Sequence, residues 1–150
     1  MRAYDHNSGA YLALRAGDLQ SLTAGSEPSE VVSPWISVSG YRSGVLSVFA
    51  SATLTDAATL TLSDLTVETA SDDQGTSARA LEADASTPFV LTGGTGGSTE
   101  TGVFRLDVDF EGADTFVRFK YVPAFSRSDT DTANLFSGFV LGGPEVIPTR

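Results

Sequence analysis

Apolar and polar residues alternate with a period of two along much of this chain, most cleanly in its last third. In Gly102-Val103-Phe104-Arg105-Leu106-Asp107-Val108-Asp109-Phe110, the residues Phe104, Leu106, Val108 and Phe110 fall on one side, and Arg105, Asp107 and Asp109 on the other. In Thr115-Phe116-Val117-Arg118-Phe119-Lys120-Tyr121-Val122, Val117, Phe119 and Tyr121 oppose Arg118 and Lys120. This is the pattern of strands that are buried on one face and wet on the other. The connection between them, Glu111-Gly112-Ala113-Asp114, is short and contains glycine, which predicts an antiparallel hairpin.

The same period predicts further strands over Trp35–Ser39, Gly44–Thr53, Ala58–Leu62, Leu65–Thr69, Pro88–Leu91 and Asn134–Leu141. Between Leu62 and Leu65 the apolar positions change parity, which predicts a bulge or bend at Ser63-Asp64. Tyr11-Leu12-Ala13-Leu14 reads as a short strand, and Thr23–Glu30 as a loop or mobile arm. Ala78–Ala85 is the one stretch with helical composition, two turns at most. Ser71–Thr76 and the Gly-rich Thr92–Glu100 read as loops. Strands at this spacing, with no tandem repeat, predict a single all-β domain. The expected form is a two-sheet antiparallel sandwich of jelly-roll type, with an immunoglobulin-like sandwich as the alternative. Residues 1–30 form an N-terminal arm or first strand, 31–143 the sandwich, and 144–150 a C-terminal tail closed by Gly142-Gly143-Pro144.

The 150 residues suffice for a sizeable core without a staple, burying roughly 70% of the unfolded surface. Cysteine is absent, which excludes disulfides and thiolate sites. The net charge of −10 opposes contact with nucleic-acid phosphates and anionic membranes, so neither is an expected partner. No run reaches the ~18 apolar residues of a membrane span, and the start lacks the apolar stretch of a secretory signal. The expected product is made and kept in a cytoplasm, or assembled there into something larger.

Catalytic chemistry is thinly represented. Gly93-Gly94-Thr95-Gly96-Gly97 is followed by Ser-Thr-Glu, where a phosphate loop needs a lysine and a helix start. His6 is the only histidine, and no nucleophile-elbow pattern accompanies it. A zinc site with His and Cys ligands lacks its ligands. No enzyme activity and no cofactor are expected. Asp72-Asp73 and Asp129-Thr130-Asp131 offer hard oxygen ligands, weak candidates for calcium against the plainer reading of turn-forming aspartates. Trp35, Tyr41 and Tyr121 are candidate sugar-stacking rings, although Trp35 reads first as a core or subunit-contact residue.

Several segments, in order along nearly the whole chain, resemble a family of tailed-phage head decoration (cement) proteins. They are Ala3-Tyr4-Asp5-His6, Tyr41–Val48, Thr53–Leu62 (similar to a hairpin of the family), Glu68–Asp73, Thr115-Phe116-Val117-Arg118, and the ending Val140–Arg150 with its Gly-x-Pro-Glu-x-x-Pro-x-Arg pattern. The resemblance implies a non-enzymatic jelly-roll protein on the outer capsid surface of a virion. There it would bridge major capsid subunits, its main partner, and associate with itself as a dimer or trimer. Capsid or subunit contacts are then expected at Tyr4, Asp5, His6, Arg118, Pro144, Glu145, Ile147, Pro148 and Arg150, with Trp35 added from its local sequence context. The alternative is a tail, neck or fibre component, or a glycan-binding module of a virion.

Overall fold

The computed structural model describes residues 13–83, 87–127 and 130–144. Among them lie the strands β1 (Ala13–Thr23), β2 (Val31–Val32), β3 (Ile36–Ser37), β4 (Tyr41–Leu54), β5 (Thr59–Ala70), β6 (Arg79–Ala83), β7 (Phe89–Thr92), β8 (Ser98–Asp109), β9 (Phe116–Phe125) and β10 (Thr132–Pro144), and no helix. Two antiparallel sheets form a sandwich. Sheet A has the order β1-β10-β4-β8; sheet B has β2-β9-β5-β6, with β3 continuing β2 along the edge of β9 and β7 continuing β6 along the edge of β5.

With each tandem pair counted as one position, the first strand pairs with the last, the second with the second-last, and so on inward. In all these pairs the sequence midpoint falls within residues 74–78. The chain is therefore one long antiparallel hairpin folded about the loop after β5. Rolling that hairpin brings β10 beside β4 and β9 beside β5, which closes the two sheets into a jelly roll.

The alternation is realised as predicted on β4, β8 and β9, whose burial alternates along their length. The parity change at Ser63-Asp64 is a bulge: the β5–β9 register slips between Ser63 and Thr66, and Asp64 has φ +52°. This puts Leu62 and Leu65 on the same, inner face. Three local expectations fail. The alternating segments 102–110 and 115–122 do not pair as a hairpin; β8 lies in sheet A and β9 in sheet B, so the turn between them crosses the sandwich. The same holds for 53–62, where β4 hands over to β5. Two strands with one apolar face each bury it equally well by facing each other across a core as by lying side by side. Lastly, Arg79–Ala83 is strand β6 and not a helix, because its backbone completes the ladder on Thr66–Thr69 of β5. A two-turn helix is marginal by itself, and the sheet edge outcompetes it.

Between the sheets lies one apolar core. Its centre is a column of rings. Phe110 stacks on Phe139 at 6.0 Å, Phe139 on Phe119 at 6.2 Å, and Phe119 on Tyr121 at 6.4 Å, with interplanar angles of 18°, 10° and 7°. Phe139 comes from sheet A and Phe119 and Tyr121 from sheet B, so the column spans the sandwich. Gly44 on β4 makes room for it, since a β-carbon there would collide with Phe139 and lie 2.7 Å from Phe110. The buried hydroxyls of Tyr121 and Ser137 hydrogen-bond across the sheets at 3.0 Å.

Two outcomes follow for stability. Gly44→Ala should destabilise by about 1–3 kcal/mol in denaturant unfolding, because the aromatic column must shift to admit one methyl group. Tyr121→Phe and Ser137→Ala should each cost about 1 kcal/mol. The double variant should lose clearly less than their sum, since removing both hydroxyls leaves neither buried partner orphaned; a double-mutant cycle measures the difference.

Candidate interaction surface

Trp35 and Arg118, singled out separately in the sequence, meet on the outer face of sheet B. The Arg118 guanidinium lies 4.5 Å from the centre of the Trp35 ring. The indole also covers Gly75, where a β-carbon would lie 3.0 Å away, so the 71–76 loop folds back over the sheet at this point. Trp35 is half-buried, on neither the core side nor open solvent. Beside it, Glu68 receives the Arg118 Nε–H at 2.7 Å and the Lys120 ammonium at 2.8 Å, and Glu30 lies 3.7 Å from Lys120. Glu68 and Arg118 are direct cross-strand partners in the β5–β9 ladder. The Arg118 charge is thus engaged within its own sheet.

Burial pushes the Glu68 carboxyl up, but hydrogen bonds from Lys120 and Arg118 and their charges outweigh it, and the net shift is down from 4.5. The hydrogen bond to Glu68 raises Lys120, against the effect of burial, with the Glu68 and Glu30 charges adding to the rise.

The candidate calcium ligands do not come together. Asp72 Oδ1 accepts the backbone N–H groups of Gln74 at 3.1 Å and Thr76 at 2.9 Å, the pattern of a turn-forming aspartate. The Thr76 hydrogen bonds, side chain first, lower its pKa. Asp73 is exposed and accepts only the Gln74 amide, at 3.1 Å, among the contacts described. Asp131 is buried at the other pole, where its carboxylate accepts the Thr55 N–H at 2.7 Å and its carbonyl the Ala24 N–H at 2.9 Å. Since Thr55 precedes the start of β5 and Asp72 follows its end, the two loops are about 40 Å apart along the strand. Among the described residues no three acidic or histidine side chains cluster as metal ligands. Asp129 lies outside the described residues.

Of the sugar-stacking candidates, Tyr121 is fully buried in the aromatic column and Tyr41 packs against the core. An open groove of about 1220 Å³ runs between Tyr41–Val45 and the loop after β8, and its lining includes Arg42, Arg105, Asp107, Asp109 and Glu111.

Tyr4, Asp5, His6, Glu145, Ile147, Pro148 and Arg150 lie outside the described residues, and Pro144 is the last residue of β10. The points where their segments join the sandwich are adjacent, because Ala13 at the start of β1 pairs with Leu141 near the end of β10.

One group of surface residues carried no signal in the reading by parity. Leu19, Phe49, Val103 and Phe136 are exposed on the outer face of sheet A. Phe49, Val103 and Phe136 each stand next to an inward apolar residue, as in Val48-Phe49-Ala50, Val103-Phe104 and Leu135-Phe136, so two consecutive apolar positions within an alternating strand were the available clue; Leu19, between Asp18 and Gln20, had none.

No protein-family model matches the chain, and no curated protein matches it. Among solved structures, a chain from a study of the structure and function of CBM4, a carbohydrate-binding module, is 13% identical. It aligns over 95% of this chain and 84% of its own length with a TM-score of 0.42. A chain from the structure of infectious bursal disease virus, Gx strain, is 14% identical over 87% of this chain and 41% of its own length, with a TM-score of 0.26. At these scores neither likeness assigns a role to this chain.

The Glu68 cluster sets an acid limit. A carboxyl held below its unfolded value stabilises the fold fully above that value, near 4.5, and the contribution fades as pH falls through the folded value. Glu68→Gln should therefore lower the melting temperature at pH 7, and the gap to the native chain should narrow progressively as the pH falls below 4.5, as thermal unfolding across pH would record.

Proposed function

We propose that this chain is a non-enzymatic structural protein of a tailed-phage virion, seated on the outer surface of the head, where it bridges neighbouring major capsid subunits. The observation that carries this reading is the pairing of β1 with β10, the first and last of the described strands. The resemblance puts capsid attachment in the segments before β1 and after β10, and these segments join the sandwich side by side at one end of sheet A. Two attachment segments from one pole can engage adjoining subunits while the body stays outside the shell.

The fold suits such a load. A pull on either segment runs along a strand of sheet A, and β10 is held by ladders to β1 on one side and β4 on the other. Its hydrogen bonds are then loaded together in shear. Individually weak attachments, repeated at every equivalent position of a shell, add up through avidity without a strong single interface.

Removing residues 1–10 or 145–150 should leave the melting transition of the sandwich nearly unchanged and lower its binding to shells that lack the protein, by tenfold or more in a co-sedimentation titration. Wild-type binding by both truncated chains would reject attachment through the ends. Cryo-electron microscopy of the particle is expected to show sandwich density at repeated positions on the head; density confined to the tail or a fibre would reject the head role.

A further inference from the structure

The centre of the outer face of sheet A is set apart from the rest of the surface by its lack of charge, although Arg105, Asp107 and Asp109 project outward on one end of the edge strand β8. Along β4 the outward positions are Ser43, Val45, Ser47, Phe49, Ser51 and Thr53. Opposite them on β10 stand Gly142, Val140, Gly138, Phe136, Asn134 and Thr132. Both central strands are uncharged on this face from end to end, in a chain of net charge −10. The neutral area widens at one end onto both edge strands. There Leu19, Phe136, Phe49 and Val103 form a straight row across all four strands, through the pairs Leu19–Phe136, Phe136–Phe49 and Phe49–Val103. These side chains are 64%, 39%, 51% and 51% exposed, and the two phenylalanine rings lie 6.5 Å apart. A parallel row of four threonines, Thr23, Thr132, Thr53 and Thr99, lies beyond an intervening row of Ser21, Asn134, Ser51 and Thr101, with the hydroxyls of Thr53 and Thr99 at 3.1 Å.

We infer that this face is the contact surface for a second copy of the chain, packed sheet on sheet. Three features of this face choose that occupant. First, charge: two copies of so acidic a protein repel one another, and the two central strands of this face let them meet without carboxylates at the centre of the contact, Asp107 and Asp109 lying at its β8 edge. Second, symmetry: a two-fold axis parallel to the strands, between β4 and β10, lays Phe49 of one copy on Phe136 of the other and Leu19 on Val103. The same rotation lays the threonine row on itself. Such self-complementarity is what an isologous dimer requires. Third, size: the neutral area is about 33 Å long and about 15 Å wide. That is enough to form the centre of an ordinary contact of about 800 Å² per partner. This inference stands independently of the virion reading.

Sedimentation velocity on the full chain tests it, over a concentration series at about 0.05 M and about 0.5 M NaCl. The expected result is a monomer–dimer equilibrium that tightens with salt, because salt screens the mutual repulsion while the contact itself is neutral. Phe49→Lys and Val103→Lys should each raise the dimer Kd at least tenfold, although lysine lowers the net negative charge. Both sites are half exposed, so the variants should fold, and melting curves check this. Val90→Lys, at a position 46% exposed on sheet B, should leave the Kd unchanged. A monomer at every concentration would overturn the inference and leave the face to a different protein or to a glycan. So would a dimer indifferent to both substitutions, which would point to edge pairing through β1, or a dimer that weakens with salt.

Discussion

The sandwich depends on one column of aromatic rings. Phe110, Phe139, Phe119 and Tyr121 stack in sequence from one sheet to the other, and the Tyr121–Ser137 hydrogen bond fixes their end. Hydrogen-bond ladders hold each sheet together, but only side-chain burial holds the sheets to each other. The column is possible because β4 carries no side chain at Gly44, under the rings of Phe139 and Phe110. Glycine inside a strand usually weakens it; here the lost packing is recovered by two rings that occupy the space. Gly102 does the same for Phe89 on the neighbouring strand β8.

Around this core the chain is organised as a single hairpin of nearly its whole length. That topology has two consequences. Nearly all strand pairing is remote in sequence, so almost no element acquires its partner locally, a pattern associated with slow folding. The two ends of the described sandwich also become neighbours in sheet A, which is why segments far apart in sequence emerge at one pole. The surface is partitioned accordingly. Sheet B carries the paired charges of Glu68, Arg118 and Lys120, whereas the centre of sheet A carries none.

Residues with a chemical look in the sequence turn out to have structural work. Asp72 closes a turn, Asp131 ties the β4–β5 connection to the chain before β10, and Arg118 is shared between Glu68 and the Trp35 ring. Each satisfies a polar group or orders a loop, as buried or turn aspartates commonly do.

Strand positions, the single-domain sandwich and the bulge at Ser63-Asp64 were legible in the sequence by itself, because side-chain parity is a local property of an extended backbone. Trp35 and Arg118 were legible as residues worth attention, but not as neighbours. What parity cannot encode is the partner. The alternation of 102–110 and 115–122 fits a hairpin and a crossing between sheets equally well, and Arg79–Ala83 becomes a strand only because β5 offers it an edge. The row of Leu19, Phe136, Phe49 and Val103 is dispersed over four separate segments, and register alone assembles it. Pairing and register are settled by which arrangement buries all the apolar faces at once, a condition on the whole chain that no local stretch can express.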